Sequence, residues 1–179
     1  MLSHLTVTPS NTVCDSAAPI TAIVLVGPPA CGKSTLRTLF EDAGTPSLDL
    51  DGAADTSDIE SLANETATTD DTPTVACIEG AVNNSDIAAI RNVFDTTLVV
   101  RVRASPGQRL ERCVKQLEAT ETVLSSTDIK AAHRSAIEQE VVESSYPMHD
   151  VSIRCTDDVD MAALADRCER IVDIFDADH

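Results

Sequence analysis

Residues 22–35 read AIVLVGPPACGKST, and within them Gly27, Gly32, Lys33 and Ser34 complete the spacing GxxxxGK[ST]. The chemistry served by this spacing is the grip of a phosphate chain. Glycines let the backbone curl so that the N–H groups of residues 29–34 converge on phosphate oxygens, and the helix that follows points its positive end at the same place. Pro28, Pro29, Ala30 and Cys31 make up the rest of this cradle. Lys33 is expected to neutralise the β- and γ-phosphates, the Ser34 hydroxyl to ligate Mg²⁺, and Thr35 to donate to the α-phosphate. The flanks agree with this. Ala22 to Val26 is a continuous apolar strand pattern, and Leu36, Leu39 and Phe40 recur at helical spacing.

Phosphoryl transfer asks a protein for charge neutralisation, in-line positioning and a metal. A strand over Thr74–Ile78 runs into Glu79 and Gly80. A carboxylate at such a strand end binds Mg²⁺ or its water, or accepts the proton of an attacking hydroxyl; a solvated turn acid is the plain alternative. Asp51 has two similar readings, orienting an acceptor hydroxyl or capping a loop. Asp49 suits the role less, because strand alternation turns it away from the side of Leu50. Arg109, Arg112, Lys115, Lys130 and Arg134 bracket a Thr/Ser-rich segment at 119–127. That arrangement reads as a lid closing over ATP, with Arg112 and Arg134 arriving from its two stems. Surface arginines paired with Glu111 or Glu138 are the alternative.

These residues need elements to hold them. Residues 1–19 lack apolar periodicity and are expected to form a disordered arm, followed by one domain over 20–179. After the first strand and loop come a helix over Lys33–Asp42 stopped by Gly44 and Pro46, and a second strand over Ser47–Leu50. The acidic acceptor-side segment 51–74 holds one short helix over Asp58–Asn64, capped by Ser57 or Asp58. Asn84 or Ser85 caps a helix whose Ile87, Ile90, Val93 and Phe94 share a face. A fourth strand covers Leu98–Val102, and Pro106 opens the helix that carries Arg112. A helix over 128–144, a fifth strand over Val151–Arg154 and a helix over 161–175 complete the chain, with the lid spanning 113–134. Unalternated apolar strands between helices predict an α/β fold with a parallel sheet covered on both faces. Ligands in such sheets bind beyond the carboxyl ends of the strands, where the loop, Glu79 and Asp51 fall.

The stretches GPPACGKST, ACIEGAVNNSDIAAIRNVF, LVVRVRASPGQRLERC, STDIKAAHRSAIEQE and HDVSIRCTDDVDMAALADRCERIV give the chain a further reading. It resembles the P-loop nucleotide kinases, most closely the dephospho-coenzyme A kinase-like and adenylate kinase-like branch with its haloarchaeal relatives. The resemblance implies a three-layer P-loop NTPase fold with strand order 2-3-1-4-5, ATP with Mg²⁺, and lid roles for Arg112 and Arg134. It also implies transfer of the γ-phosphate of ATP to a small acceptor. Two departures bear on that acceptor: Gln116 stands where a further arginine is usual, and no Lys or Arg occurs between Arg37 and Arg91. Either a hydroxyl compound is held by Asp51 and Glu79, or Arg91 or Arg101 takes over a phosphate, or acceptor chemistry is lost. The last case would leave a nucleotide sensor or accessory ATPase. A GTPase is the weaker reading, since DLDG at 49–52 imitates DxxG without any NKxD sequence.

A net charge of −17 excludes nucleic acid and anionic membranes as partners, because no Lys/Arg cluster offsets it. No apolar run approaches the roughly 20 residues of a membrane span. Six cysteines form no CxxC pair, and without a secretory pattern reduced thiols in a cytoplasmic protein are expected. Cys31 is singled out, because a helix N-terminus can lower a thiol pKa and make it redox-sensitive; an inert loop residue is the favoured alternative. Abundant Asp with only three lysines, Lys33, Lys115 and Lys130, resembles the composition of proteins of salt-accumulating archaea, a mesophilic acidic protein being the plain alternative. Screening of the acidic surface should then stabilise the fold. The melting temperature is expected to rise as KCl is taken from low to molar concentration, and a flat or falling value would refute the salt adaptation.

Overall fold

The structure, a computed structural model, describes residues 19–50, 55–67, 74–80, 83–119, 131, 149–155, 163, 166 and 170. The arm up to residue 18, Asp51, the lid from residue 120 with Arg134, and most of the two expected carboxy-terminal helices lie outside them. Five strands are present: β1 (Ile20–Val26), β2 (Ser47–Asp49), β3 (Thr74–Glu79), β4 (Thr96–Arg103) and β5 (Val151–Arg154). Among the described residues the helices with defined bounds are α1 (Lys33–Asp42), α2 (Thr56–Ala67), α3 (Asn84–Arg91) and α4 (Pro106–Ala119). All strand pairs are parallel in the order β2-β3-β1-β4-β5, as the resemblance implied. Among the described residues no helix is long and apolar enough to cross a membrane.

β1 lies between β3 and β4 and is buried from Thr21 onward, which explains its lack of polar alternation. Its side chains feed two cores. Ala22, Val24 and Val26 meet Ile59 and Leu62 of α2 and Ile87 and Ile90 of α3; Ile23 and Leu25 meet Leu36 and Phe40 of α1. Each such Val, Leu, Ile or Phe side chain contributes roughly 1.5–3 kcal/mol when fully buried, so the loop after β1 stands on a strand buried on both faces.

Three local expectations are corrected. Asp55, not Ser57 or Asp58, starts α2, its Oδ1 accepting from the Ser57 N–H and hydroxyl at 2.9 Å each. Asn83, not Asn84 or Ser85, caps α3: its Oδ1 accepts from the N–H groups of Ser85 and Asp86, and Asp86 Oδ2 accepts from the Asn83 N–H. That reciprocal pair is a capping box, and Asp86 closes it. Finally, α3 runs back against the strand direction, so Arg91 in its last turn borders a cavity with Asp95 and Thr96 at the start of β4. Arg91 is therefore at the opposite end of the sheet from the phosphate loop and cannot serve an acceptor there.

Burial favours the inert-loop reading of Cys31 over the redox-sensitive one. Cys31 and Cys155 are both enclosed in the α1-side core, and among the described residues Cys31, Cys77, Cys113 and Cys155 are free thiols. Loss of solvent raises the Cys31 pKa above the ordinary 9.0, and this outweighs the lowering by Lys33 and the loop N–H groups. Desolvation raises Cys155 likewise.

Two outcomes are expected. Asn83→Ala should lower the urea midpoint by the equivalent of about 1 kcal/mol; an unchanged midpoint would show that the capping box contributes nothing. Because the folded state holds the two thiol protons more tightly than the unfolded chain, their contribution persists below the ordinary pKa of 9.0 and is lost as pH rises through the higher folded values. Iodoacetamide should accordingly leave Cys31 and Cys155 unmodified in the folded protein at pH 7–8 and label them on unfolding, as read by mass spectrometry of the peptides. Ready labelling of Cys31 in the folded protein would contradict its enclosure.

Candidate functional site

The loop between β1 and α1 begins where the chain has no room for a side chain. A Cβ on Gly27 would stand 2.3 Å from the Val102 carbonyl oxygen and 3.0 Å from Cys31 Sγ. Gly32, with φ 108°, ends the loop in a left-handed conformation, and Ala30 holds φ 59° between them. The turn delivers the chain into α1 with no side-chain cap at Gly32 and no acidic residue in the first turn. An uncapped helix start, with its N–H groups and positive dipole end, is a ready anion site.

Lys33 folds back over this turn. Its ammonium donates to the carbonyl oxygens of Gly27 at 3.0 Å and Pro28 at 3.2 Å. Those bonds hold the charge above the loop and use two of its three donors. Ser34, the next residue, donates its hydroxyl to Glu79 Oε1 at 2.8 Å, across 45 positions of sequence. Glu79 ends β3 beside β1 and is only 6% exposed. Its Oε2 accepts from Arg37 Nε at 3.3 Å. Arg37 Nη1 donates also to Glu41 and, at 3.5 Å, to Ser47 of β2.

Arg112 reaches the loop from α4, where Ser105 and Gln108 form a capping box around Pro106. Its Nη1 donates to the Ala30 carbonyl oxygen at 3.2 Å. A cleft of about 390 Å³ lies between, lined by Ala30, Gly32, Lys33, Ser34, Thr35, Arg112, Lys115 and Gln116. Lys115 pairs with Glu111 at 2.9 Å with both side chains well exposed, a contact worth little in water.

Four of the expected site residues thus come together: Lys33, Ser34, Glu79 and Arg112. Asp51 and Arg134 lie outside the described residues. Arg109 is neither a lid cation nor a surface residue; it is 1% exposed and close enough to Cys31 to bear on its pKa. Arg37 was missed by the sequence reading altogether. Its only signal was the i,i+4 spacing to Glu41, which says nothing of Glu79.

The donor set fits Mg²⁺ held with a nucleotide. A hydroxyl and a carboxylate are hard oxygen ligands, and they meet at one point. Among the described residues no group of three or more His, Cys, Asp or Glu could hold a metal by itself. Mg²⁺ ordinarily takes one or two protein oxygens plus phosphates, and that is the share provided here.

No family model matches the chain, and no curated protein matches it either. Solved structures do. A putative kinase from Chloroflexus aurantiacus is 18% identical with a TM-score of 0.56, covering 87% of this chain and 97% of its own. A sugar kinase from Janibacter is 14% identical with a TM-score of 0.53, covering 87% and 96%. Shikimate kinase from Bacteroides thetaiotaomicron is 13% identical with a TM-score of 0.51, covering 86% and 98%. At such identities the likeness is one of fold: the chain has the fold of the P-loop kinases.

Proposed function

We propose that the chain is an ATP- and Mg²⁺-dependent phosphotransferase that passes the γ-phosphate of ATP to a small-molecule acceptor: a nucleotide, dephospho-coenzyme A or a hydroxy metabolite. The observation that carries the reading is the Ser34–Glu79 hydrogen bond set beside Lys33 at an uncapped helix start. On this reading a metal-type oxygen pair and a cation would lie beside the bound polyphosphate. Loop N–H groups and the α1 dipole would bind the phosphates, and the third donor of Lys33 would be directed to the β- and γ-oxygens. Arg112, already turned to the loop at Ala30, would add charge from the α4 side. Mg²⁺, when bound, supplies charge neutralisation between the β- and γ-phosphates. Ser34 would ligate it, with Glu79 orienting Ser34. Asp51 would orient the acceptor hydroxyl, and Arg134 would close from the far stem of the lid. Such an enzyme belongs in the cytoplasm, where ATP is supplied.

The acceptor class follows from charge. Residues 38–90 contain no Lys or Arg, and Arg91 faces the other end of the sheet. Kinases of a sugar and of shikimate are among the structures of like fold, and a hydroxy metabolite suits this base-free wall better than a nucleotide. The same base-free wall favours the second reading, a nucleotide sensor or accessory ATPase that transfers to no metabolite.

ATP turnover with Mg²⁺ in molar KCl, with and without a panel of dephospho-coenzyme A, nucleosides, nucleoside monophosphates and hydroxy metabolites, separates the two. Strong stimulation by one compound is the expected outcome; ATP binding without stimulation by any would support the sensor. Lys33→Ala should reduce ATP binding or turnover by about a hundredfold or more while the circular dichroism spectrum stays native. Unchanged turnover would refute the site.

A further inference from the structure

Both oxygens of Glu79 are engaged. Oε1 accepts from the Ser34 hydroxyl and Oε2 from Arg37 Nε. The carboxylate is almost enclosed, and an ionised group so placed needs a counter-charge. Arg37 provides it from α1, one turn beyond Ser34, and is itself held by Glu41 and by Ser47 of β2. The Ser47 hydroxyl donates in turn to Glu41. The guanidinium therefore cannot swing aside without giving up contacts to two further residues.

We propose that Arg37 is a built-in counter-cation for Glu79, which keeps the carboxylate neutralised and oriented in the nucleotide-free protein so that Mg²⁺ enters the site only together with ATP. The inference rests on the phosphotransferase reading above. Mg²⁺ gives up its water reluctantly and demands near-octahedral ligation. Among the described residues one hydroxyl meets one carboxylate that already has a cation on its second oxygen, which is too little to hold the metal. Phosphate oxygens complete the set. The same engagement sets what Glu79 does: it acts on the metal side through Ser34, and it is not the base for an acceptor hydroxyl. Arg37 is a positioning residue; it touches Glu79 and not the reacting groups.

The test uses Mn²⁺ as a paramagnetic stand-in for Mg²⁺, with bound metal counted by electron paramagnetic resonance in molar KCl, where binding to the acidic surface is screened. Wild type and Arg37→Lys should bind a single Mn²⁺ only when ATP is present. Arg37→Gln, folded by circular dichroism, should bind a single Mn²⁺ without ATP, at least about tenfold more tightly than wild type, because a nearly buried carboxylate stripped of its partner recruits another cation. Adding Glu79→Gln to Arg37→Gln should abolish that gain. The proposal is overturned if Arg37→Gln gains no ATP-independent site while still binding Mn²⁺ with ATP, or if wild type already binds Mn²⁺ without ATP at a site that Glu79→Gln removes. Failure of ATP to bind wild type, or ATP binding insensitive to Lys33→Ala, would instead remove the phosphotransferase reading and this inference with it.

Discussion

A carboxylate that is 6% exposed must replace its lost hydration with hydrogen-bond partners, and the arrangement around Glu79 is the answer the fold gives to that constraint. Removing such a group from water costs several kcal/mol unless charge-assisted hydrogen bonds replace the lost hydration. Two elements supply them. α1 brings Ser34 and Arg37 one turn apart on the same side of the helix, and β3 brings Glu79 out beside β1 at their level. The register that sets Leu25 against Glu79 on one side and Asp49 against Glu79 on the other fixes this meeting point to within a residue. A slip of one position in β3 would turn Glu79 to the other face of the sheet.

The loop depends on a second constraint of the same kind, one of space. Gly27 passes so close to the Val102 carbonyl that any side chain there would displace β4. Cys31 packs beneath the turn, and Cys155, just past β5, lies where a Cβ on Gly32 would touch it at 3.4 Å. The phosphate loop is therefore seated on the sheet from below by two small apolar thiols and tied from the side by Arg112. Small size and a protonated state are what the position requires of Cys31, and enclosure secures the second of these. A preformed loop loses less conformational entropy when an anion binds, which makes more of the contact energy available for binding.

What the sequence made legible was what depends on nearest neighbours. The glycine spacing, the apolar run of β1 and the helical recurrence of Leu36 and Phe40 each follow from local chemistry, and each was found where expected. Boundaries were less visible. β4 starts at Thr96 because its backbone pairs with Thr21, and a threonine side chain carries no sign of that pairing. The run Asn83, Asn84, Ser85 offers adjacent cap formers, and only the Asp86 side chain reaching back decides among them. The ion pair of Arg37 with Glu79, separated by 42 residues, was illegible in principle, because it exists only once β3 has been laid between β1 and β2. The environment of Cys31 was only partly legible for the same reason. Its neighbours in sequence lower a thiol pKa, but its neighbours in space exclude water, and exclusion is the larger effect.

Those placements also set the electrical polarity of the site. Lys33, Arg112 and Lys115 border the cleft above the loop. On the β2–β3 side residues 38–90 offer acids and no base, and Arg37 beside them is already held by Glu79 and Glu41. Unit charges 4 Å apart near a protein surface interact by about 4 kcal/mol, attractive or repulsive. On the phosphotransferase reading, a triphosphate is drawn to the α1–α4 wall, and an acceptor bearing a phosphate finds no counter-charge among residues 38–90, so that a cation from the strands must come from elsewhere, such as β4, where Arg101 stands in register with Val26 at the end of β1. A neutral hydroxyl meets no such repulsion there. High salt sharpens this distinction. At molar ionic strength screening shortens the reach of charge to about 3 Å, so distant cations cease to help and only contact partners count. The side chains of residues 38–90 are neutral or acidic, which on the same reading favours an acceptor without negative charge.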